Sequence, residues 1–328
     1  MIRCAIIGWG ENGEKIANAL HFELKDTTVI GVATSNEAGK QYAMEKMGIK
    51  HITSNIQSIL ELHQVDIVCI CTPGDEHLDH VALALKSGSN VFIDHPLASN
   101  VDDCKKLEKI ISSFPSYKTL VAFPRRYDKR LRMLKNAIDN GDLGEITSIH
   151  AKTYEKMPPH EKLRKVHKGI FMDIMVHDVD LVRWLSGAEF QSGYVIGNAK
   201  MYPSLERVND IDSAHALCKM SNGMNVSLYS SRICHSGVGY ELTVTGTKGQ
   251  VKIDALQSNG DIIRNQEGKV GLISGKYPEN DYSNMLKEYI DAVRFGNRLR
   301  TDLEDATHAT SVAVALTKSF VLNREITL

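Results

Sequence analysis

Ile2-Arg3-Cys4-Ala5-Ile6-Ile7-Gly8-Trp9-Gly10-Glu11-Asn12-Gly13 is the stretch on which the fold turns. Its first half is a short apolar run of strand character, and its second half fits G-x-G-x-x-G. Residues 14–24 then carry helical spacing through Ile16, Ala19, Leu20 and Leu24. A glycine turn between a strand and a helix is the setting in which this motif acquires meaning. Gly8 allows the tight turn, Gly10 lets the backbone approach a pyrophosphate, and Gly13 lets helix pack on strand. Glu11 and Asn12 complete the candidate cradle at the helix start, where the N-terminus attracts an anion. The next strand, residues 29–33, ends in Thr34-Ser35-Asn36 with no carboxylate at its tip. Glu37 lies just beyond, and Lys40 is the nearest cation. Thr34 and Ser35 are therefore candidate cofactor contacts, and neutral hydroxyls leave both NAD and NADP open.

Outward from that turn the text keeps alternating. Strand-like runs at 65–71, 91–94 and 120–123 are separated by helical runs at 77–87 and 104–112. This is the pattern of a doubly wound α/β parallel sheet covered on both faces. Near Arg125 the text changes. Residues 129–139 read as a helix stopped at Asn140-Gly141, and residues 146–152 open a different half. Runs at 191–196, 214–219, 224–230, 240–245 and 251–253 follow with turns and no helices between them, which predicts an α+β domain with a large, mostly antiparallel sheet. Residues 285–295 and 303–323 are the closing helices. The expected division is 1–123 for a dinucleotide-binding Rossmann domain and 124–328 for a substrate and oligomerisation domain.

Composition sets the outer limits. The 328 residues are 42% hydrophobic and 24% charged, with 39 basic and 40 acidic side chains and a formal net charge of -1. No global basic field draws in nucleic acid or an anionic membrane, so a small substrate is expected. The apolar run 4–7 is too short for a signal-peptide core, and no run reaches the ~18 apolar residues of a membrane span. The six cysteines form no Cys-x-x-Cys pair. They read as reduced thiols of a cytoplasmic protein.

A second stretch carries chemistry. Residues 169–185 read GIFMDIMVHDVDLVRWL. At ~100° per residue, Asp173, His177 and Asp180 fall within about 60° of one another on a helix that is otherwise apolar nearly all round. A buried helix must aim its few charges at partners, a cavity or a ligand. An internal network satisfies that demand. So does a general base, His177, oriented by Asp173 one turn earlier.

Several separate segments together resemble one family, the glucose–fructose oxidoreductase/inositol dehydrogenase (Gfo/Idh/MocA) oxidoreductases. They are Cys71-Thr72-Pro73 with His77, Ala84-Leu85-Lys86-Ser87-Gly88, Val91 to Pro96, Phe123-Pro124-Arg125-Arg126-Tyr127-Asp128, Asp173-x-x-x-His177-Asp178-x-Asp180, and Val244 to Gly249. The resemblance is greatest to an inositol 2-dehydrogenase or related sugar dehydrogenase. It implies NAD or NADP as cofactor, with Thr72, Pro73, His77, Asp94 and Pro96 along its binding cleft. It implies His177 as general base with Asp173 as partner, and Arg125, Asp180 and Tyr154 toward a polyol or sugar. It also implies a homodimer or homotetramer. The family's Glu-Lys-Pro is here Asp94-His95-Pro96, so His95 stands where a catalytic lysine is expected. That departure motivates a rival reading, a cofactor-binding sensor without turnover. A metal site of His95, His177 and Asp173 is a second rival. Residues 154–169 hold four lysines, one arginine and two histidines against two glutamates. They are read as a solvated basic loop or one favouring an acidic substrate.

Overall fold

The computed structural model describes the chain apart from residues 63–64, 159–167, 235–237, 257–260, 267–268 and 275–280. The chain divides into two compact units, 1–127 with 280–307 and 128–279 with 308–328. The first unit thus ends four residues later than the expected division. It also takes back a segment that the linear reading gave to the second.

The first unit is built on six strands: β1 Ile2–Ile7, β2 Thr27–Ala33, β3 His51–Thr53, β4 Ile67–Ile70, β5 Asn90–Ile93 and β6 Thr119–Val121. They lie in the order β3-β2-β1-β4-β5-β6, and every pair is parallel. The order reverses between β1 and β4, where a doubly wound sheet opens its ligand crevice. Strands β4 and β6 are buried at every residue, as expected for a sheet covered on both faces. Five helices follow the strands: α1 Glu11–Asn18, α2 Glu37–Glu45, α3 Ile56–Leu60, α4 His77–Lys86 and α5 Val101–Ser112. Helix α1 runs into a π turn, Ala19–Glu23, so the single helix expected over residues 14–24 is two geometries in series. The short elements β3, α2 and α3 had no separate signal in the periodicity.

The second unit begins with α6 Lys129–Asp139. Its sheet strands are β7 Ile146–Tyr154, β8 Phe190–Asn198, β9 Ser213–Met220, β10 Asn225–Ser231, β11 Gly239–Gly246, β12 Gly249–Asp254, β13 Asp261–Gln266, β14 Lys269–Ser274 and β15 Ile326–Thr327. Their order is β14-β13-β12-β11-β7-β10-β9-β8-β15. Every neighbouring pair is antiparallel except β7 and β10, which run parallel. Alternation divides the faces. On β9, Ala214, Ala216, Cys218 and Met220 are buried, whereas His215, Leu217 and Lys219 are exposed. The buried face is covered by α7 Val176–Ser186, which ends at Gly187 with a left-handed φ of 64°. Two helices close the chain, α8 Asp281–Phe295 and α9 Leu303–Leu322.

All six cysteines are free. Burial pushes the Cys4 thiol up to about 12 and raises Cys69 and Cys71 well above the ordinary range. These groups stay protonated at neutral pH and are poor nucleophiles.

Candidate functional site

In the first unit, the glycine turn lies between β1 and α1. Gly8 has φ of 94°, and a Cβ there would sit 2.5 Å from the Cys71 carbonyl oxygen. A Cβ on Gly13 would sit 2.6 Å from the Gly8 carbonyl oxygen. A Cβ on Gly10 meets nothing within 4 Å. Two glycines therefore permit close backbone packing, while the third leaves open space above the turn. Trp9, between them, is buried, and its carbonyl accepts from Asn36 Nδ2 at 3.0 Å. Asn36 also caps α2, accepting from the Gly39 N–H at 3.2 Å. The tip of β2 is thus strapped to the turn after β1. Thr34 is buried and its hydroxyl accepts from the Asn36 N–H at 3.0 Å, whereas Ser35 is exposed. Glu11 is exposed and paired with Lys15.

Across the strand ends, Asn12 Nδ2 donates to Asp94 Oδ2 at 2.9 Å. The Tyr282 hydroxyl donates to the same carboxylate, and burial followed by the charge of Asp94 holds that phenol well above its usual range. Asp94 Oδ1 is buried and meets no hydrogen-bond donor among the described residues. It faces His95 Nδ1 at 3.6 Å. Thr72 Oγ1 pairs with His80 Nδ1 at 2.9 Å, and Pro73 and Pro96 are half-buried.

His77 departs from its expected role. It is fully buried, with Nε2 at 2.7 Å from the Thr72 carbonyl and Nδ1 at 3.1 Å from the Leu97 carbonyl. Both ring nitrogens face backbone carbonyls, so the neutral ring donates to one of them and packs against the other, between the loop after β4 and the loop after β5. Burial lowers its pKa, opposed by the two carbonyls and by Asp94. Arg125 lies in a 3₁₀ turn, Pro124–Tyr127, of the same unit.

In the second unit, the polar helix is not one regular α-helix. Phe171–Met175 form a π turn that leads into α7. Asp173 stands in the π turn and His177 in the first α turn, and both are half-buried. A π turn carries an extra residue per turn and is frequent at functional sites. The 100° arithmetic therefore places the two residues on one side but misses the geometry between them. Asp180 is buried. Asp178 is fully buried and accepts the Thr153 hydroxyl on both oxygens at 2.8 Å. Thr153 on β7 thus points to the helix. Strand alternation turns Tyr154 to the opposite face, where its hydroxyl donates to Glu241 at 3.2 Å and its ring meets Tyr229. The sheet therefore separates Tyr154 from the helix with which it was grouped.

The sequence gives no hint of Arg232. It is fully buried after β10, with Nη1 at 2.9 Å from Asp173 Oδ2 and Nη2 at 3.3 Å from Asp210 Oδ2. The basic stretch 159–167 lies outside the described residues. Among the described residues, no group of three or more His, Cys, Asp or Glu side chains could hold a metal ion, and no helix is long and apolar enough to cross a membrane.

Two family models match this chain. One is described as the oxidoreductase family with an NAD-binding Rossmann fold and covers residues 2–113, and the other as the GFO/IDH/MocA C-terminal domain and covers residues 131–252. The chain belongs to the Gfo/Idh/MocA family. It is 24% identical over its whole length to a myo-inositol 2-dehydrogenase of Thermotoga maritima, of which the match covers 98%. It is 27% identical to a scyllo-inositol 2-dehydrogenase (NAD(+)) of Bacillus subtilis, over 97% of this chain and 94% of that one. The crystal structure of myo-inositol 2-dehydrogenase from Lactobacillus plantarum shares the fold at a TM-score of 0.89 and 24% identity, covering 100% of this chain and 99% of that one.

As a member of that family, the chain is an NAD(P)-dependent oxidoreductase, and its first unit fits the dinucleotide. The open space over Gly10 admits a pyrophosphate, and the N-terminus of α1 favours its charge. The orphaned Asp94 Oδ1 offers a buried acceptor at the end of β5, tied by Asn12 to the turn after β1.

Proposed function

We propose that the protein moves a hydride between a secondary alcohol carbon of a cyclic polyol or sugar and the nicotinamide of NAD or NADP. Oxidising such an alcohol removes a hydride from carbon and a proton from oxygen. The bound nicotinamide supplies the hydride acceptor. His177 takes the proton, because imidazole exchanges protons near neutral pH. Asp173, one turn earlier, orients the ring and stabilises its charged form. Arg125 holds a substrate hydroxyl, and Asp94 with Asn12 fixes the cofactor's end; Asp180, only 1% exposed, has almost no surface to offer a substrate. The names of the relatives, two inositol 2-dehydrogenases among them, support the polyol class. The observation that carries the reading is the start of the helix itself, where Asp173, His177, Asp178 and Asp180 stand among buried apolar side chains. A homodimer or homotetramer fits an open sheet face bearing Ile196 and Leu217, which are 56% and 64% exposed.

The test is a cofactor-reduction screen of inositols, aldoses and uronates with NAD and with NADP. On the substrate found, His177→Ala should lower kcat by about 100-fold or more while cofactor affinity is unchanged. Near-normal turnover of His177→Ala would make the helix structural. The rival, a cofactor-binding sensor without turnover, is favoured by His95 in place of lysine. Tight NAD(P) binding with no reduction across the whole panel would establish it.

A further inference from the structure

Arg232 has no exposed surface, yet its guanidinium is surrounded by charge. Nη1 lies 2.9 Å from Asp173 Oδ2 and 3.5 Å from Glu155 Oε2, and Nη2 lies 3.3 Å from Asp210 Oδ2. Its backbone N–H donates to the Asp212 carbonyl at 2.7 Å, which fixes the root of the side chain. Nε is buried and meets no acceptor among the described residues.

One of those carboxylates controls the backbone. Asp210 Oδ1 accepts the Ile170 N–H at 2.7 Å and the Ile211 N–H at 2.8 Å. Ile170 is the residue from which the π turn starts. Gly169 precedes it at φ of 86°, and a Cβ there would lie 3.1 Å from Asp210 Oδ1. A glycine at 169 therefore allows both the left-handed backbone and the close approach of the carboxylate.

Full burial of a guanidinium is costly, and buried ion pairs are weak devices for stability. What a two-pronged cation does well is fix the distance between two acceptors. Here the prongs reach the start of the π turn, through Asp210, and Asp173 inside it.

We propose that Arg232 is a positioning residue for the Asp173–His177 pair, holding Asp173 directly and, through Asp210, the π turn that sets its place relative to His177. The proposal rests on His177 as the base. Arg232 touches neither substrate nor cofactor in this scheme. Lysine keeps the charge but has one prong, so it cannot hold both carboxylates at these distances.

The experiment uses the full chain with Arg232→Lys, Asp173→Asn, the double variant and Asp210→Asn. On a polyol that turns over, Arg232→Lys should lower kcat about tenfold, with KM and cofactor affinity nearly unchanged. In the Asp173→Asn background the same change should cost less than about twofold, because its target is already altered. A second readout needs no substrate: the ¹⁵N resonances of the His177 imidazole, assigned by comparison with His177→Gln. They should move in Arg232→Lys and, in the same direction, in Asp210→Asn, which keeps the shape of the carboxylate but removes its charge. If no polyol turns over, the substrate reading fails, and the resonances alone decide this proposal. Unmoved His177 resonances in a folded variant overturn it, and so do multiplicative effects on kcat in the double variant. If Arg232→Lys does not fold, Asp210→Asn carries the same decision.

Discussion

A methyl group added at Gly10 meets no heavy atom within 4 Å, whereas one added at Gly13 would lie 2.6 Å from a backbone oxygen. One motif thus holds residues with different tasks. Gly10→Val should fold normally and lose NAD(P) affinity, because its side chain enters the space the pyrophosphate needs. Gly13→Ala should instead destabilise the first unit by about 1–3 kcal/mol, through overpacking against Gly8. Calorimetry on the first variant and denaturant unfolding on the second separate the two. Unchanged NAD(P) affinity in folded Gly10→Val would remove the cradle from the cofactor site. His95 poses a different problem at the same scale. Free imidazole titrates near ~6.5 and a lysine near ~10.4, so only histidine changes charge between pH 5 and 8. His95→Ala should lose most of the rate, and His95→Lys should stay active with a kcat/KM profile against pH that differs from the wild-type one. A normal profile and normal turnover in His95→Ala would leave that ring with no chemical part.

Helix α2 depends on one side chain at its start. Asn36 Oδ1 receives the Gly39 N–H and Asn36 Nδ2 reaches the Trp9 carbonyl, so a single amide caps a helix and braces the glycine turn. Asn36→Ala should cost about 1 kcal/mol of stability and also weaken NAD(P) binding. Thermal melts that fall while calorimetric affinity stays at the wild-type value would show that the brace does not reach the turn. The loops after β4 and β5 are joined by His77, and that link has a pH signature. Burial holds the folded ring below its ordinary 6.5, so just below that pH the unfolded chain binds a proton that the folded chain refuses. Stability is complete above about pH 6.5 and declines as pH falls below it, until the folded ring itself protonates. His77→Gln should flatten that limb of a stability-against-pH curve, and an unaltered slope counts against the link. At this scale the sequence is informative where signals are local. The parallel strands, the glycine turn and the i,i+4 relation of Asp173 and His177 all stand in contiguous text. The π turn does not, because nothing in residues 171–175 announces a fifth residue per turn. Arg232 reaches Asp173 across 59 positions and Asn12 reaches Asp94 across 82, distances over which no periodicity operates. Tyr154 was placed by resemblance, and its pairing with Glu241, 87 positions away, depends on a strand register that only the folded sheet supplies.

The first unit is not contiguous in the chain. Met285, Leu286, Tyr289 and Ile290 of α8 belong to the same buried cluster as Ile6, Cys69, Phe92 and Leu120 of the parallel sheet. The Tyr289 hydroxyl donates to the Lys118 carbonyl at 2.9 Å. Arg126, itself buried, holds the Asp305 carboxylate at 2.7 Å and the Arg300 carbonyl at 2.9 Å. A fragment ending at Tyr127 exposes the sheet residues that these side chains cover and leaves Arg126 without its acceptors. Residues 1–127 alone should therefore unfold without a cooperative transition, and residues 280–307 joined to them by a flexible linker should restore one. Circular dichroism melts of the two fragments check this, and a sharp transition in 1–127 alone would contradict it. This is not legible in the linear text because α8 resembles any other amphipathic helix, and its contact with Lys118 spans 171 positions.

That return of the chain also governs how the protein is made. A ribosome completes the glycine turn within the first moments of synthesis, yet α8 leaves the exit tunnel only after the whole intervening sheet has been translated. At about 5–20 residues per second the delay is on the order of ten to fifty seconds. Throughout it, the nascent nucleotide-binding half presents an unfinished apolar surface, the condition under which a chaperone engages a growing chain.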